Sequence, residues 1–346
     1  MSHRVVILYN EPTLAADHPD ALSEHEVVHT AHAVEKILTE AGFEVHHLGV
    51  HVDPGKMIAQ LRERAPDVVF NLFEGLPQMG QTEAYAAGIL DWLGIPYTGC
   101  PFQSMVLARN KPIAKRLFRD ALLPTPKFRL IEELPAHANR MGWPVIVKPS
   151  NQDASVGVEQ ASVVTNADDY AQRVEKIFVE YGGPVLVEEF IRGREISLML
   201  FEMPELRALV FWEVKFTDAD PEFWPIITYD AKWKPGTRDF ESTPMDYKPE
   251  ISPRLRSKLE RLGKKAYRLL GCRDFARVDF RVTPDDDPYI LEMNPNPDFS
   301  PLAGLSDGLD STGVTHAQLT RQLVENALAR GAQKLSAPVG VELIEW

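Results

Sequence analysis

Four short apolar runs, each handed on to a stretch of helical spacing, fill the first hundred residues and leave few folds open. Residues 5–9, 43–50, 67–73 and 95–98 read as strands, and 27–41, 54–64 and 83–93 as helices. Gly42 and Gly94 follow two of those helices, where a left-handed C-cap favours glycine. Asp53 ahead of Pro54 pairs a capping acceptor with a proline suited to the first turn. Parallel neighbours need a crossover long enough to hold a helix, so this alternation predicts a doubly wound parallel sheet and an α/β fold.

The pattern changes after a helix at 111–122. Leu123-Pro124-Thr125-Pro126 punctuates a boundary, and beyond it strands dominate, at 145–148, 156–161, 185–190, 195–201 and 209–214. Helices are expected at 167–181 and 253–270, with an amphipathic tail helix at 317–332. Residues 217–245, rich in Pro, Asp and aromatics, make a connection of the length usual for lids, binding loops or disordered segments.

Composition excludes several functions. A net charge of −13 argues against nucleic acid or an anionic membrane as partner, since each requires a basic face. The two cysteines, Cys100 and Cys272, are far apart and form no CxxC, which fits a reducing compartment without a disulfide framework or structural zinc. The apolar run after Met1-Ser2-His3-Arg4 is too short for a signal peptide, and no stretch reaches the ~18 apolar residues of a membrane span. A cytoplasmic protein is expected.

Four local patterns carry chemistry. Arg277-Val278-Asp279-Phe280-Arg281, a turn dense in Pro and Asp, and Tyr289-Ile290-Leu291-Glu292-Met293-Asn294 form a hairpin signal. Alternation puts Arg277 and Asp279 on one face of the first strand, and Glu292 and Asn294 on one face of the second. In register, Asp279, Glu292 and Asn294 become an all-oxygen cluster suited to Mg²⁺ beside nucleotide phosphates; a hairpin with these groups in water is the other reading. Lys148 ends the apolar run Val145-Ile146-Val147, a costly place for a cation unless it meets an anion, and the Ser155-Val156-Gly157 turn could offer backbone N–H groups to phosphate. A snorkelling lysine before an ordinary turn is the alternative. Neither a GxxxxGK[ST] loop nor a GxGxxG fingerprint is present. The run Val185 to Glu189 breaks into a polar turn at Arg192-Gly193-Arg194-Glu195, which serves either as an adenine hinge, with Glu188 and Glu195 as acceptors, or as a solvated edge turn. Finally, His25-Glu26-Val27-Val28-His29 matches the HExxH zinc pattern, with His32 as a third candidate ligand. Against zinc, Ser23 and Glu26 fit a capping box, no glycine separates His29 from His32, and the first helix of a βαβ unit is a poor setting for a protease.

In this order and spacing the motifs resemble the ATP-grasp ligases, most closely the D-alanine–D-alanine ligase branch, over roughly residues 5–328. The markers are Ser23-Glu24-His25-Glu26-Val27, Leu93-Gly94-Ile95-Pro96-Tyr97-Thr98-Gly99, Asn110-Lys111, Pro144 to Pro149, Ser155-Val156-Gly157-Val158, Val187-Glu188-Glu189-Phe190, Asp230-Ala231-Lys232, Ala276 to Phe280, and Leu291 to Asn294. The resemblance implies an N-terminal Rossmann-like domain at 1–105, then two mixed α+β subdomains at 106–187 and 188–346 that sandwich ATP, with 217–245 as the lid. It implies that Lys111 and Lys148 grip the α- and β-phosphates, with Ser155 in the phosphate loop. Glu188 would read the adenine amino group, Phe190 and Ile191 would form the hinge and apolar wall, and Glu195 would meet the ribose. Lys232 would reach the phosphates from the mobile loop. Asp279, Glu292 and Asn294 would hold two Mg²⁺ ions, with Mn²⁺ as a substitute, and Arg277 would stabilise the charged intermediate. Glu24 would hold the amino group of the first amino acid. The substrates implied are small amino acids or amines, and a homodimer is implied by analogy.

Departures fall at the amino-acid pockets. Ala154 replaces the first of two adjacent serines, and Trp233 replaces a tyrosine of the hydrogen-bonded trio over the first substrate. Asp298 stands where a glycine helps form the oxyanion hole, and Ala303 where a serine receives the second carboxylate. The loop near Asn71 reads Phe73-Glu74-Gly75-Leu76-Pro77-Gln78-Met79-Gly80. These changes imply a carboxylate–amine ligase with altered substrate pockets. A true D-alanine–D-alanine ligase of cell-wall synthesis, a nucleotide-binding protein without turnover, and a zinc hydrolase are the alternatives.

Overall fold

The computed structural model describes residues 2–12, 21–76, 79–301, 304–310 and 312–336, and for 21–25 and 334–336 it describes the backbone. The chain divides into two units, one made of Met1–Phe102, Glu202–Glu205 and Asp298–Trp346, the other of Gln103–Phe201 and Leu206–Pro297.

The first unit opens as expected: β1 (Arg4–Asn10), α1 (Ala21–Glu40), β2 (Glu44–Val50), α2 (Pro54–Arg64), β3 (Val68–Leu72) and α3 (Thr82–Leu93). The strands lie parallel in the order β2-β1-β3. Val5, Val6, Ile7 and Leu8 are wholly buried, as a central strand covered on both faces requires. Asp53 accepts from the Gly55 N–H at 2.8 Å and caps α2, while Gly94 closes α3 at φ +70°. Two expectations fail. Residues 95–98 form a single parallel bridge, Tyr97 to Val69, rather than a strand. Helix α1 already includes Ala21, so Ser23 lies inside it and is no N-cap.

The second unit begins with α4 (Phe102–Arg109) and α5 (Lys111–Asp120), followed by β4 (Phe128–Ile131), β5 (Val145–Pro149), β6 (Val163–Val164), α6 (Ala167–Tyr181), β7 (Val185–Glu189), β8 (Arg194–Glu202) and β9 (Leu206–Val214). Then come α7 (Tyr229–Trp233), α8 (Arg238–Glu241), β10 (Met245–Asp246), α9 (Pro253–Leu269), β11 (Phe275–Val282) and β12 (Pro288–Asn294); α10 (Gly304–Leu309) and α11 (His316–Ser336) return to the first unit. Residues 156–161, expected as a strand, are instead a turn leading to a 3-10 segment at Gln160–Ser162. Residues 217–245 are not structureless: α7 and α8 lie within them, and Arg238 clamps Asp218 at 2.6 Å and Asp220 at 2.9 Å.

Two antiparallel sheets organise this unit, β4-β7-β5-β6 and β10-β9-β8-β11-β12. Alternation gives each an apolar face and a polar one. In the first, Val145, Val147, Val185 and Val187 pack on Tyr170, Val174 and Ile177 of α6, leaving Ile146, Lys148 and Glu188 for the opposite side. In the second, Leu198, Leu200 and Val278 lie against Gly263 of α9, and Ser197, Arg277, Asp279 and Arg281 project the other way. Backbones come close at Gly193 (φ +144°), where an added Cβ would sit 2.0 Å from the Val282 carbonyl oxygen. Gly193→Ala is expected to lower stability by about 2 kcal/mol through forced backbone strain at the turn into β8. The shift of the urea midpoint reads it, and an unchanged midpoint contradicts the close approach.

Candidate active site

The two polar faces line one cavity of about 650 Å³, a volume that suits a nucleotide-sized ligand. Lys111, Lys148, Ser155, Glu188, Phe190, Ile191, Glu195, Lys232, Arg277, Asp279 and Glu292 all reach its wall. The β11–β12 pairing sets Arg277 opposite Asn294 and Asp279 opposite Glu292, the in-register arrangement on which the oxygen-cluster reading depends. The register then slips between Asp279 and Phe280, so Leu291 is an extra residue and joins Glu292 on the cavity wall. Asp279 is largely buried, accepts from Ser197 Oγ at 2.6 Å and binds Arg277 through both carboxylate oxygens at 2.9 and 3.0 Å, so this hairpin does not hold its polar groups in bulk water.

Cations dominate around Glu292. Burial alone would raise its pKa, but Lys111, Lys148, Lys232 and Arg277 pull it down to about 2. Lys111 is placed by Asn110, whose side chain caps α5 by accepting from the Ile113 N–H at 3.1 Å. Its ammonium lies 3.6 Å from Glu292, donates to Gln152 O at 2.8 Å and pairs with Asp153. Although burial opposes the charged form, Glu292 and Asp153 hold its pKa above the ordinary lysine value.

Glu188 is the most enclosed acid of the cavity. It is 1% exposed, on the central strand β7, which removes the solvated-edge reading. Lys148 Nζ and Lys115 Nζ each lie 2.5 Å from its carboxylate. Burial would raise the Glu188 pKa, yet the two ammonium groups take it below the ordinary value; Lys115, fully enclosed, is itself lowered by burial and by Lys148. Lys148 thus meets an anion rather than snorkelling outward.

Loops complete the wall. Ala154 (φ 54°) and Ser155 (φ 61°) occupy the left-handed region, and a Cβ on Gly157 (φ +75°) would meet Pro149 at 2.6 Å, so the 153–157 turn is tightly wound. Trp233 donates its indole N–H to Ala154 O at 3.1 Å, tying α7 to that turn. Phe190 gives its N–H to Pro144 O at 3.2 Å and packs its ring on Trp224. Arg281, 4% exposed, ties the hinge together: it donates to Gly193 O and Pro225 O and lies 3.3 Å from Glu195. Burial raises the Glu195 pKa against the pull of Arg281.

Sequence reading missed Lys115 and Arg281. A lysine four residues after Lys111 on one helix face carried the signal for the first. For the second it was the continuing alternation Arg277, Asp279, Arg281. Asn294 lies outside the cavity wall, and its Oδ1 accepts from the Asn296 N–H at 2.9 Å.

The first unit holds a separate group of acids. Asp298 accepts from the Ser300 N–H at 2.7 Å. Glu74 is pushed up to about 8, by desolvation first and then by Asp298, Glu83 and Glu26. Burial and Asp298 likewise raise Glu26. The side chain of Glu24 and residues Pro77, Gln78 and Ala303 lie outside the described residues, as does the His25 side chain of the HExxH pattern. Among the described residues no helix is long and apolar enough to cross a membrane.

The family described as D-ala D-ala ligase C-terminus matches residues 118–325. A D-alanine–D-alanine ligase of Acidiphilium cryptum (strain JF-5) is 32% identical over 300 residues, covering 86% of this chain and 92% of that one. One of Synechococcus sp. (strain JA-2-3B'a(2-13)) is 29% identical over 324 residues, covering 90% and 93%. The crystal structure of D-alanine–D-alanine ligase from Bacillus anthracis complexed with ATP shares the fold with a TM-score of 0.73 at 20% identity, covering 96% of this chain and 100% of that one.

Proposed function

The chain belongs to the D-alanine–D-alanine ligase family, and from that premise we propose an ATP-dependent carboxylate–amine ligase whose amino-acid pockets differ from those of its relatives. The observation that carries the nucleotide half is the convergence of Lys111, Lys148, Lys232 and Arg277 on Glu292 in one cavity. Four cations around one carboxylate suit a polyphosphate better than any neutral ligand.

A carboxylate is a poor electrophile, and its attack on the γ-phosphate of ATP makes an acyl phosphate with ADP as leaving group. Two anions approach in that step, and Lys148, Lys232 and Arg277 offset their repulsion. The amine then attacks the activated carbonyl carbon, phosphate departs, and Arg277 steadies the oxyanion. Glu188 takes the adenine amino group, Phe190 and Ile191 form the hinge and apolar wall, and Glu195 meets the ribose. Asp279 and Glu292, with Asn294 beside them, would hold magnesium, two ions in all. The donors fit, being hard oxygens only, and Asp279 already carries a cation in Arg277. A magnesium ion held there would supply positive charge against the charge developing on the phosphates. The 217–245 segment, with Lys232 on α7, is the cover that keeps water from the acyl phosphate.

The acids of the first unit support the altered pocket. Desolvation first, and then the like charges of Asp298, Glu83 and Glu26, raise the Glu74 pKa, an arrangement that favours a cationic or amine-bearing substrate group. Trp233 and Ala154, two altered positions, bond to each other. An ATP hydrolysis assay with single amino acids and pairs, reading product mass, tests the proposal: sustained ADP turnover is expected only with an acid plus an amine-bearing partner. Strong D-Ala-D-Ala formation would overturn the altered pocket, and no ADP with any pair would favour a nucleotide-binding protein without turnover.

Glu74 adds a pH prediction. Its pKa is raised on folding, so the stability it contributes is present below the ordinary carboxylate range and is lost as pH climbs toward about 8. The thermal midpoint is expected to fall over that window, and Glu74→Gln to flatten the slope. A cationic substrate bound at pH 7 is expected to release up to about one proton, seen as a buffer-dependent binding enthalpy that Glu74→Gln abolishes. A proton count near zero in the unaltered enzyme contradicts this.

A further inference from the structure

Outside the cavity and its chemistry, α1 and β2 bring together the donor set His32, Glu35 and His47. His32 and Glu35 are three residues apart and share a face of α1. His47 projects from the edge strand β2, its ring edge-on to Tyr9 at 5.6 Å and 5.0 Å from the His32 ring. One carboxylate oxygen, Glu35 Oε2, lies 3.2 Å from His32 Nδ1 and 3.0 Å from His47 Nε2, and all three atoms fall within 4.8 Å of one another.

Two features distinguish this group from an ordinary surface ion pair. His47 Nε2 is buried and 3.0 Å from Glu35 Oε2, yet the contact does not meet the angle of a good hydrogen bond. An acceptor near a ring nitrogen at the wrong angle is what two ligands aimed at a shared third atom would show. The spacing agrees: bonds of about 2.0–2.1 Å at tetrahedral angles put neighbouring ligand atoms about 3.3 Å apart. We propose that His32 Nδ1, Glu35 Oε2 and His47 Nε2 form a three-ligand site for a divalent transition metal of the zinc class, pinning α1 to the sheet edge.

Imidazole and carboxylate together favour Zn²⁺ over Mg²⁺, and three protein ligands leave a fourth position to water. The site is not the HExxH pattern, since neither Glu26 nor His29 belongs to it. The helix it fastens is the one that carries Glu24 and Glu26.

Calorimetric titration of the full chain with Zn²⁺, in excess Mg²⁺ to occupy oxygen sites, tests the assignment. One Zn²⁺ per chain is expected, with a thermal midpoint raised by a few degrees at saturation. His32→Ala and His47→Ala are each expected to weaken binding by about tenfold or more and to abolish the thermal shift. His32 is exposed, so its loss leaves the fold intact, and the metal-free midpoint of that variant serves as the check. His29→Ala is expected to bind as the unaltered chain does. Loss in His29→Ala with retention in His47→Ala would transfer the metal to the HExxH pattern and overturn the proposal. Equal affinity in all variants, or no stoichiometric binding, would also overturn it.

Discussion

Glu188→Ala is expected to destabilise the unit that holds the cavity by about 4 kcal/mol, read as a lower urea midpoint. Its carboxylate is 1% exposed and neutralises Lys115, also 1% exposed, and Lys148. Alanine strands Lys115 in the interior with the Thr125 hydroxyl, at 3.1 Å, as its remaining hydrogen-bond partner among the described residues. Removing one partner of a buried pair costs far more than the pair contributes, because the remaining charge keeps its desolvation cost. The sign of the pH dependence follows. Folding lowers the Glu188 pKa, so its contribution is complete above the ordinary carboxylate range and disappears as pH falls through the folded value. Glu188→Gln combined with Lys115→Met is expected to recover most of the midpoint while nucleotide binding stays impaired. That separation divides the structural duty of the acid from its proposed duty to adenine. A Glu188→Ala variant as stable as the parent would show that the triad is not the centre of this unit.

Much of this architecture was legible because its physics is local. The parallel sheet of the first unit follows from apolar runs spaced by helices, and Asp53-Pro54 and Gly94 mark helix ends through single-residue geometry. The faces of β11 and β12 were readable for the same reason, but their register was not: an even count from the turn sets Asp279 opposite Leu291, and the extra residue shifts it to Glu292. Long-range pairing hid the rest. Lys115 is an ordinary helical lysine until β7 brings Glu188 against it, and Arg281 is a strand arginine until Gly193 and Pro225 present their carbonyls. The extra residue at Leu291 leaves no mark in an alternating pattern. Residues 156–161 misled because Val156 and Val158 alternate like a strand, whereas Ala154, Ser155 and Gly157 take positive φ and curl the chain. The group of His32, Glu35 and His47 was hidden by long-range pairing as well: the HExxH pattern runs along α1 alone, whereas His47 comes from β2.

Glu292→Ala gives the sharpest decision on what the cavity does. Its carboxylate is the point on which four cations converge, and it faces Asp279 across the hairpin. If the pair carries magnesium beside a triphosphate, its loss removes several kcal/mol of transition-state stabilisation, or about a thousandfold in rate. The side chain is one-third exposed and Lys111 keeps Asp153 as a partner, so the fold is expected to survive, with a cooperative urea transition as the check. The measurement is ADP release with saturating acid and amine, across a magnesium titration, for the parent and for Glu292→Ala. A drop of about a thousandfold that added magnesium restores only in part is the predicted result. Turnover equal to the parent's at every magnesium concentration would contradict it.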